Sequence, residues 1–163
     1  MENIVISRLE SKHIVEAAKL IIPLHNLMVK ERQDIFISKD EDWGNYLKIK
    51  LQDNDWIMLV ALYKDKVVGV CTAEIKHCGD GIETRVRDIL FIDYIAVDEE
   101  YRRCGVGTKL IDEIKKNAKC RNVKTVELNV WGFNDSAIKF YEKNNMKPKR
   151  IVYEYLIDKE KLL

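Results

Sequence analysis

The stretch Asp88-Ile89-Leu90-Phe91-Ile92-Asp93-Tyr94-Ile95-Ala96-Val97, followed after four polar or aromatic residues by Arg102-Arg103-Cys104-Gly105-Val106-Gly107-Thr108, decides how this chain is read. The first ten residues are rich in β-branched and aromatic side chains and read as a long strand. From Val106 onward apolar residues return at helical spacing, through Leu110, Ile111, Ile114 and Ala118, so a helix runs on to about Lys119. Strand, glycine-bearing turn and helix therefore follow in immediate succession. A helix start offers open backbone N–H groups and the positive end of its dipole, and glycines let a phosphate come close to them. Arg102 and Arg103 add charge, so the residues from Arg102 to Thr108 suit a pyrophosphate. An isolated G-x-G more often just shapes a tight turn beside solvated arginines; the position between strand and helix favours the cradle.

Outward from this unit, Trp56 to Tyr63 and Val67 to Ile75 are apolar runs separated by Lys64-Asp65-Lys66, an antiparallel hairpin with both strands buried. Gly79-Asp80-Gly81 marks a loop. Ile4 to Arg8 alternates as a first strand, and Ser11 caps a helix with Ile14, Ala18, Ile21 and Ile22 inward, ended or kinked by Pro23. Leu24 to Gln52 is less periodic and holds one or two short helices, interrupted by the acidic turn Lys39-Asp40-Glu41-Asp42. Beyond the glycine turn, Lys124 to Val130 reads as a strand, Asn134 caps a short helix, and Arg150 to Ile157 alternates as a last strand. Hairpin strands followed by a strand-helix-strand unit imply a mixed sheet flanked by helices, which excludes a bundle or a sandwich.

The 163 residues fit a single domain over 1–163, and 47% hydrophobic with 34% charged residues places the chain far from disordered compositions. A net charge of +1 supplies no field to draw it to nucleic acid or to an anionic membrane. The first residues lack the basic start and apolar run of a signal peptide, so the expected address is the cytoplasm. Cys71, Cys78, Cys104 and Cys120 form no C-x-x-C pair and share no ligand spacing with His13, His25 and His77, so no metal is expected.

Two nucleotide signatures fail at the glycine turn. The Walker spacing is absent, and position 110 of the would-be G-x-G-x-x-G is Leu110. Instead Arg102, Gly105 and Gly107 complete R/Q-x-x-G-x-G/A, and Asn134, Ala137, Phe140 and Tyr141 fall in register with N-x-x-A-x-x-F-Y, with Asn145-Met146 in place of a closing Gly-Phe. On these residues the chain resembles the GNAT superfamily of N-acetyltransferases. Asn tolerates a left-handed helix end nearly as well as Gly, so that departure costs the likeness little.

The resemblance implies an α/β (α+β) fold with a mixed, mostly antiparallel central sheet of six to seven strands flanked by about four helices. It implies acetyl-CoA as co-substrate: the backbone of Ile95, Ala96 and Val97 would pair with the pantetheine arm, and the amides from Arg103 through Cys104, Gly105, Val106 and Gly107 to Thr108 would hold the pyrophosphate. Asn134 would touch the cofactor arm or orient its helix, Ala137 would leave room, and Tyr141 would stand near the thioester sulfur. An unperturbed tyrosine, with a pKa of about 10, is protonated at neutral pH and can return a proton to the leaving thiolate. Read by spacing alone, Tyr141 is equally a core aromatic.

For the base, Asp93 shares a face with Ile95 and Val97 by the two-residue period. It is a candidate acting directly or through water, with a salt-bridged or substrate-orienting carboxylate as the other meaning. Asp88 lies at the strand entrance and is a poorer choice; His25 titrates in the right range but stands alone. Cys104 needs no thiol chemistry. Carboxylates and aromatics between Leu24 and Trp56, including Asp34, Phe36, Trp43 and Tyr46, suit a cationic amine acceptor, small molecule or peptide, while interspersed lysines make the same stretch an ordinary solvated surface. A non-catalytic acyl-CoA-binding regulatory module is the competing function, and the readings leave room for a homodimer.

Overall fold

A computed structural model of the chain describes residues 3–37 and 42–157. These fall into two compact units, one within Met1–Leu24 and Asp40–Asn129, the other within His25–Lys39 and Val130–Leu163. The first holds the sheet. Its strands are β1 (Ile4–Arg8), β2 (Trp56–Tyr63), β3 (Lys66–Cys78), β4 (Arg87–Val97) and β5 (Val126–Leu128), in spatial order β1-β2-β3-β4-β5. All neighbours run antiparallel except β4 and β5, which are parallel.

The apolar run of β2 is explained by burial on both faces. Trp56, Met58 and Val60 join a core with Ala17, Ala18 and Ile21 of α1 (Ile14–Glu31) and Trp43 and Leu47 of α2 (Trp43–Lys50). Ile57, Leu59 and Ala61, also buried, face the other way. On that side lies α3 (Val106–Cys120), which buries Val106, Leu110, Ile111, Ile114 and Ala118, the face its sequence spacing requires. Gly69 permits the close approach: a Cβ there would meet Val106 Cγ1 at 2.9 Å, Leu110 Cδ1 at 3.2 Å and Ala61 Cβ at 3.3 Å. Gly69→Ala is therefore expected to lose stability in urea denaturation. Overpacking costs about 1–3 kcal/mol, more than the roughly 0.5–1 kcal/mol that alanine regains in backbone entropy.

Several expectations need correction. Among the described residues the sheet has five strands, not six to seven, and four α-helices accompany it. Arg150–Ile157 alternates as a strand should, yet none of these residues pairs with another strand; alternation sets a face but cannot supply a neighbour. The strand expected over Lys124–Val130 shortens to Val126–Leu128. Pro23 does not end α1, which continues to Glu31, and Ser11 opens a short 3-10 turn, Ser11–His13, in which Glu10 donates its backbone N–H to His13 Nδ1 at 3.1 Å. Of the acidic turn Lys39-Asp40-Glu41-Asp42, only Asp42 lies within the described residues, where it caps α2 by accepting from the Asn45 amide.

The second unit carries α4 (Asp135–Lys143). Asn134 is its cap, the side-chain oxygen accepting from the Ala137 amide at 3.1 Å. At the other end Asn145 adopts φ 62, the left-handed conformation that the substitution for glycine demands, and Met146 donates to the Tyr141 carbonyl at 3.0 Å.

Candidate active site

β4 changes phase in its middle. Thr72 of β3 stands opposite Tyr94 and Ala73 opposite Ile92, so Asp93 is an extra residue, a β-bulge. Past the bulge Tyr94 and Ala96 pack toward α1 and α2. Asp93 turns to the same side: Tyr46 of α2 donates its hydroxyl to Asp93 Oδ2, and the Tyr46 and Tyr94 rings lie 6.1 Å apart. Asp93 therefore does not share a face with Ile95 and Val97, as strict alternation would have it, because the bulge inserts one residue into the two-residue period.

The same point marks the end of the sheet's cover. β5 pairs with β4 only at Leu90, Phe91 and Ile92, whereas β3 continues opposite Ile95, Ala96 and Val97. Among the described residues no strand pairs with the β5-side edge of β4 from Asp93 to Val97, and an extended, amide-bearing chain can add to such an edge.

Beyond the strand, Arg103 at φ 61 and Gly105 at φ 82 bend the turn. Such left-handed positions orient successive amides toward an anion. Gly105 is the N-cap of α3 and caps nothing with a side chain, so the amides of Val106, Gly107 and Thr108 open the helix without an intrahelical partner. A Cβ at residue 105 would find nothing within 4 Å, so the space beside that position is open. Arg102 is used locally: Nε donates to the Val97 carbonyl at 3.3 Å and Nη1 pairs with Glu99 at 3.2 Å, bracing the turn on the strand end. Cys104 Sγ lies 3.4 Å from the Arg102 carbonyl. The open space, the amides and the bare strand edge fit a diphosphate bearing an extended amide arm.

In the second unit Tyr141 is half-buried, its ring 5.3 Å from that of Phe140. Asn134 spends its side-chain oxygen on the helix cap and on the Ser136 hydroxyl at 3.0 Å, so it orients α4.

The sequence profile of the acetyltransferase (GNAT) family matches residues 24–146. The chain belongs to that family. It is 29% identical over 124 residues to an uncharacterized N-acetyltransferase of Methanocaldococcus jannaschii, a match covering 76% of this chain and 54% of that protein. The chain spans about half the length of the curated relatives it matches. A crystal structure of a mutant of the BH1408 protein from Bacillus halodurans superposes with a TM-score of 0.89 at 25% identity, over 94% of this chain and 99% of that one. The structure of AAC(6')-Iy in complex with the bisubstrate analog CoA-S-monomethyl-acetylneamine shares the fold at a TM-score of 0.72 and 15% identity, over 95% and 99% of the two chains.

The other sequence candidates for this GNAT domain have structural work. His77 Nδ1 lies 2.6 Å from Asp88 Oδ1, and that carboxylate raises the imidazole pKa above its usual value. His25 is buried, with Nε2 3.2 Å from the Ile37 carbonyl. Asp34 is bound through both oxygens by Arg32, which holds its carboxyl below the ordinary range. What local reading missed is Tyr46 as the partner of Asp93; 47 residues apart in the chain, they leave no short-range signal. Burial, and then its bond to Asp93, push the Tyr46 phenol well above its ordinary pKa, so it stays a hydrogen-bond donor. Around it Trp43, Trp56 and Tyr94 meet edge to face, and Lys50 Nζ sits 4.4 Å over the Trp56 ring. Among the described residues no group of three or more His, Cys, Asp or Glu could hold a metal ion, and no helix is long and apolar enough to cross a membrane.

Proposed function

We propose that this protein is an acetyl-CoA-dependent N-acetyltransferase that moves an acetyl group directly to a primary amine of a small molecule or peptide, within a ternary complex. The observation that carries the reading is the open helix start at Gly105–Thr108 placed just beyond a strand whose edge is bare from Asp93 to Val97. Acetyl-CoA supplies an activated acetyl thioester. The amides of Val106, Gly107 and Thr108 bind its diphosphate with the help of the helix dipole, and the backbone of Ile95, Ala96 and Val97 orients the arm. A backbone N–H near Val97 polarises the acetyl carbonyl. Asp93 receives the acceptor's ammonium and takes its proton directly or through water, Tyr141 returns a proton to the departing thiolate, and Ala137 leaves space on α4. Tyr46 acts through Asp93: its hydroxyl occupies Oδ2 and leaves Oδ1 for the amine, beside aromatic rings that favour a cation.

The test is release of free thiol from acetyl-CoA with spermidine, lysine, glucosamine 6-phosphate and a peptide with a free N-terminus. Release with at least one amine is expected. Calorimetric binding of acetyl-CoA without any release would favour a regulatory acyl-CoA-binding module, and no binding would overturn both readings.

The role of Tyr46 has its own check with the best amine of that panel. Tyr46→Phe keeps the ring and removes the donor, and KM for the amine should rise about tenfold, the scale of a hydrogen bond to a charged group, with KM for acetyl-CoA unchanged. In an Asp93→Asn background the same substitution should add nothing, since coupled residues are not additive. Equal losses in both backgrounds would show that Tyr46 does not work through Asp93.

A further inference from the structure

Lys50 is the last residue of α2 and lies on the same flank of that helix as Tyr46, one turn earlier. Its Nζ stands 4.4 Å over the Trp56 ring and 5.9 Å from the centroid of the Tyr46 ring. Tyr46 in turn gives its hydroxyl to Asp93, so the Lys50 ammonium and the Asp93 carboxylate flank a single side chain. The sheet beside them carries a second pair of charges. Trp56 is opposite Glu74 and Glu74 is opposite Phe91, which puts all three on one face. Lys76 shares that face by the two-residue period, with Nζ 3.6 Å from Glu74 Oε2 and 3.9 Å from the Phe91 ring centroid.

Matching these charges leaves two over. Glu74 is taken by Lys76, whereas Asp93 has only the neutral Tyr46 hydroxyl on Oδ2. Of the half-buried lysines among the described residues, Lys76 and Lys115 each have a carboxylate, at 3.6 and 3.8 Å, and Lys50 has none. Its aromatic neighbours answer that charge only in part. A ring face attracts an ammonium, but it does not accept the three N–H donors as an oxyanion does.

We propose that the amine acceptor carries an anionic group at the end away from its amine, and that Lys50 recognises that group. The inference rests on the reading of Asp93 as the residue that receives the amine. An acceptor with opposite charges at its two ends matches both leftover groups at once, the ammonium on Asp93 and the anion on Lys50. A polyamine would instead bring a second ammonium to rings that already hold one, and like charges at that range repel.

Three compounds of nearly equal length isolate the charge. Cadaverine, the amide of ε-aminocaproate and ε-aminocaproate itself offer the same primary amine and a far end that is positive, neutral or negative. Each is titrated against the full chain and followed by tryptophan fluorescence, to which Trp56 beneath Lys50 contributes. ε-Aminocaproate should bind at least about tenfold more tightly than its amide, the scale of a hydrogen bond to a charged group, with cadaverine weakest. Lys50→Met should abolish the difference between ε-aminocaproate and its amide, Lys50→Arg should keep the order, and Lys50→Glu should reverse it. Every comparison is a ratio between ligands on one protein, so a loss of folded protein cannot imitate it. Thiol release from acetyl-CoA with the same compounds separates this inference from acetyl transfer. The expected binding order without any release would support Lys50 as the partner of the anion and remove the enzymatic reading. Release fastest with cadaverine, or equal from ε-aminocaproate and its amide, would keep the enzyme and overturn the anionic acceptor. No binding by any of the three, or an unchanged order in Lys50→Met, would overturn it as well.

Discussion

Tyr141→Phe is expected to lower turnover by about 10- to 1,000-fold, the range of a lost general acid, while the affinity for acetyl-CoA stays within error. The substitution removes one oxygen and leaves the rest of α4 as it is. Asn134 still caps the helix, and Met146 still donates to the carbonyl of residue 141, a backbone atom indifferent to the side chain. The half-buried ring keeps its contact with Phe140. Steady-state thiol release, with calorimetry alongside, measures both parts. Unchanged turnover would remove Tyr141 from the chemistry and leave it a helix-packing aromatic.

The elements the sequence disclosed are those whose signals are local. The period of α3 identified its whole buried face, because Val106, Leu110, Ile111, Ile114 and Ala118 need only one register to point inward. Asn145 was readable as a helix terminator because its left-handed φ is a property of one residue. Pairing is a different matter. The bulge at Asp93 depends on β3 continuing past it in step, and nothing in Phe91-Ile92-Asp93-Tyr94 announces that the phase shifts. The bond from Tyr46 likewise belongs to the packing of α2 on the sheet. Arg150–Ile157 shows the converse, a strand signal without a strand partner, and Pro23 does not end α1 because helical residues before and after it are fixed by packing, with Ala17, Ala18 and Ile21 on one side and His25 on the other all buried. A helix interior proline costs about 3 kcal/mol, a sum that such burial can offset.

At the phosphate turn, charge and backbone can be separated by experiment. Gly105→Asp should weaken acetyl-CoA binding by about 100-fold, whereas Gly105→Asn should weaken it by no more than about tenfold. Both side chains tolerate a left-handed backbone better than other residues, so at φ 82 they carry similar strain, and a Cβ at this position meets nothing within 4 Å. They differ by one negative charge set before the amides of Val106, Gly107 and Thr108. Two like charges about 4 Å apart repel by about 4 kcal/mol near a protein surface, so the 100-fold loss, about 2.7 kcal/mol, needs only part of that repulsion. Salt discriminates further: the gap between the two variants should narrow as ionic strength rises, since the Debye length falls from about 10 Å at 0.1 M to about 3 Å at 1 M. Urea denaturation of the two should agree within about 1 kcal/mol, which separates weakened binding from weakened folding. Equal affinities for Asp and Asn would mean that the diphosphate is held elsewhere, and with it would go the assignment of this helix start as the anion site.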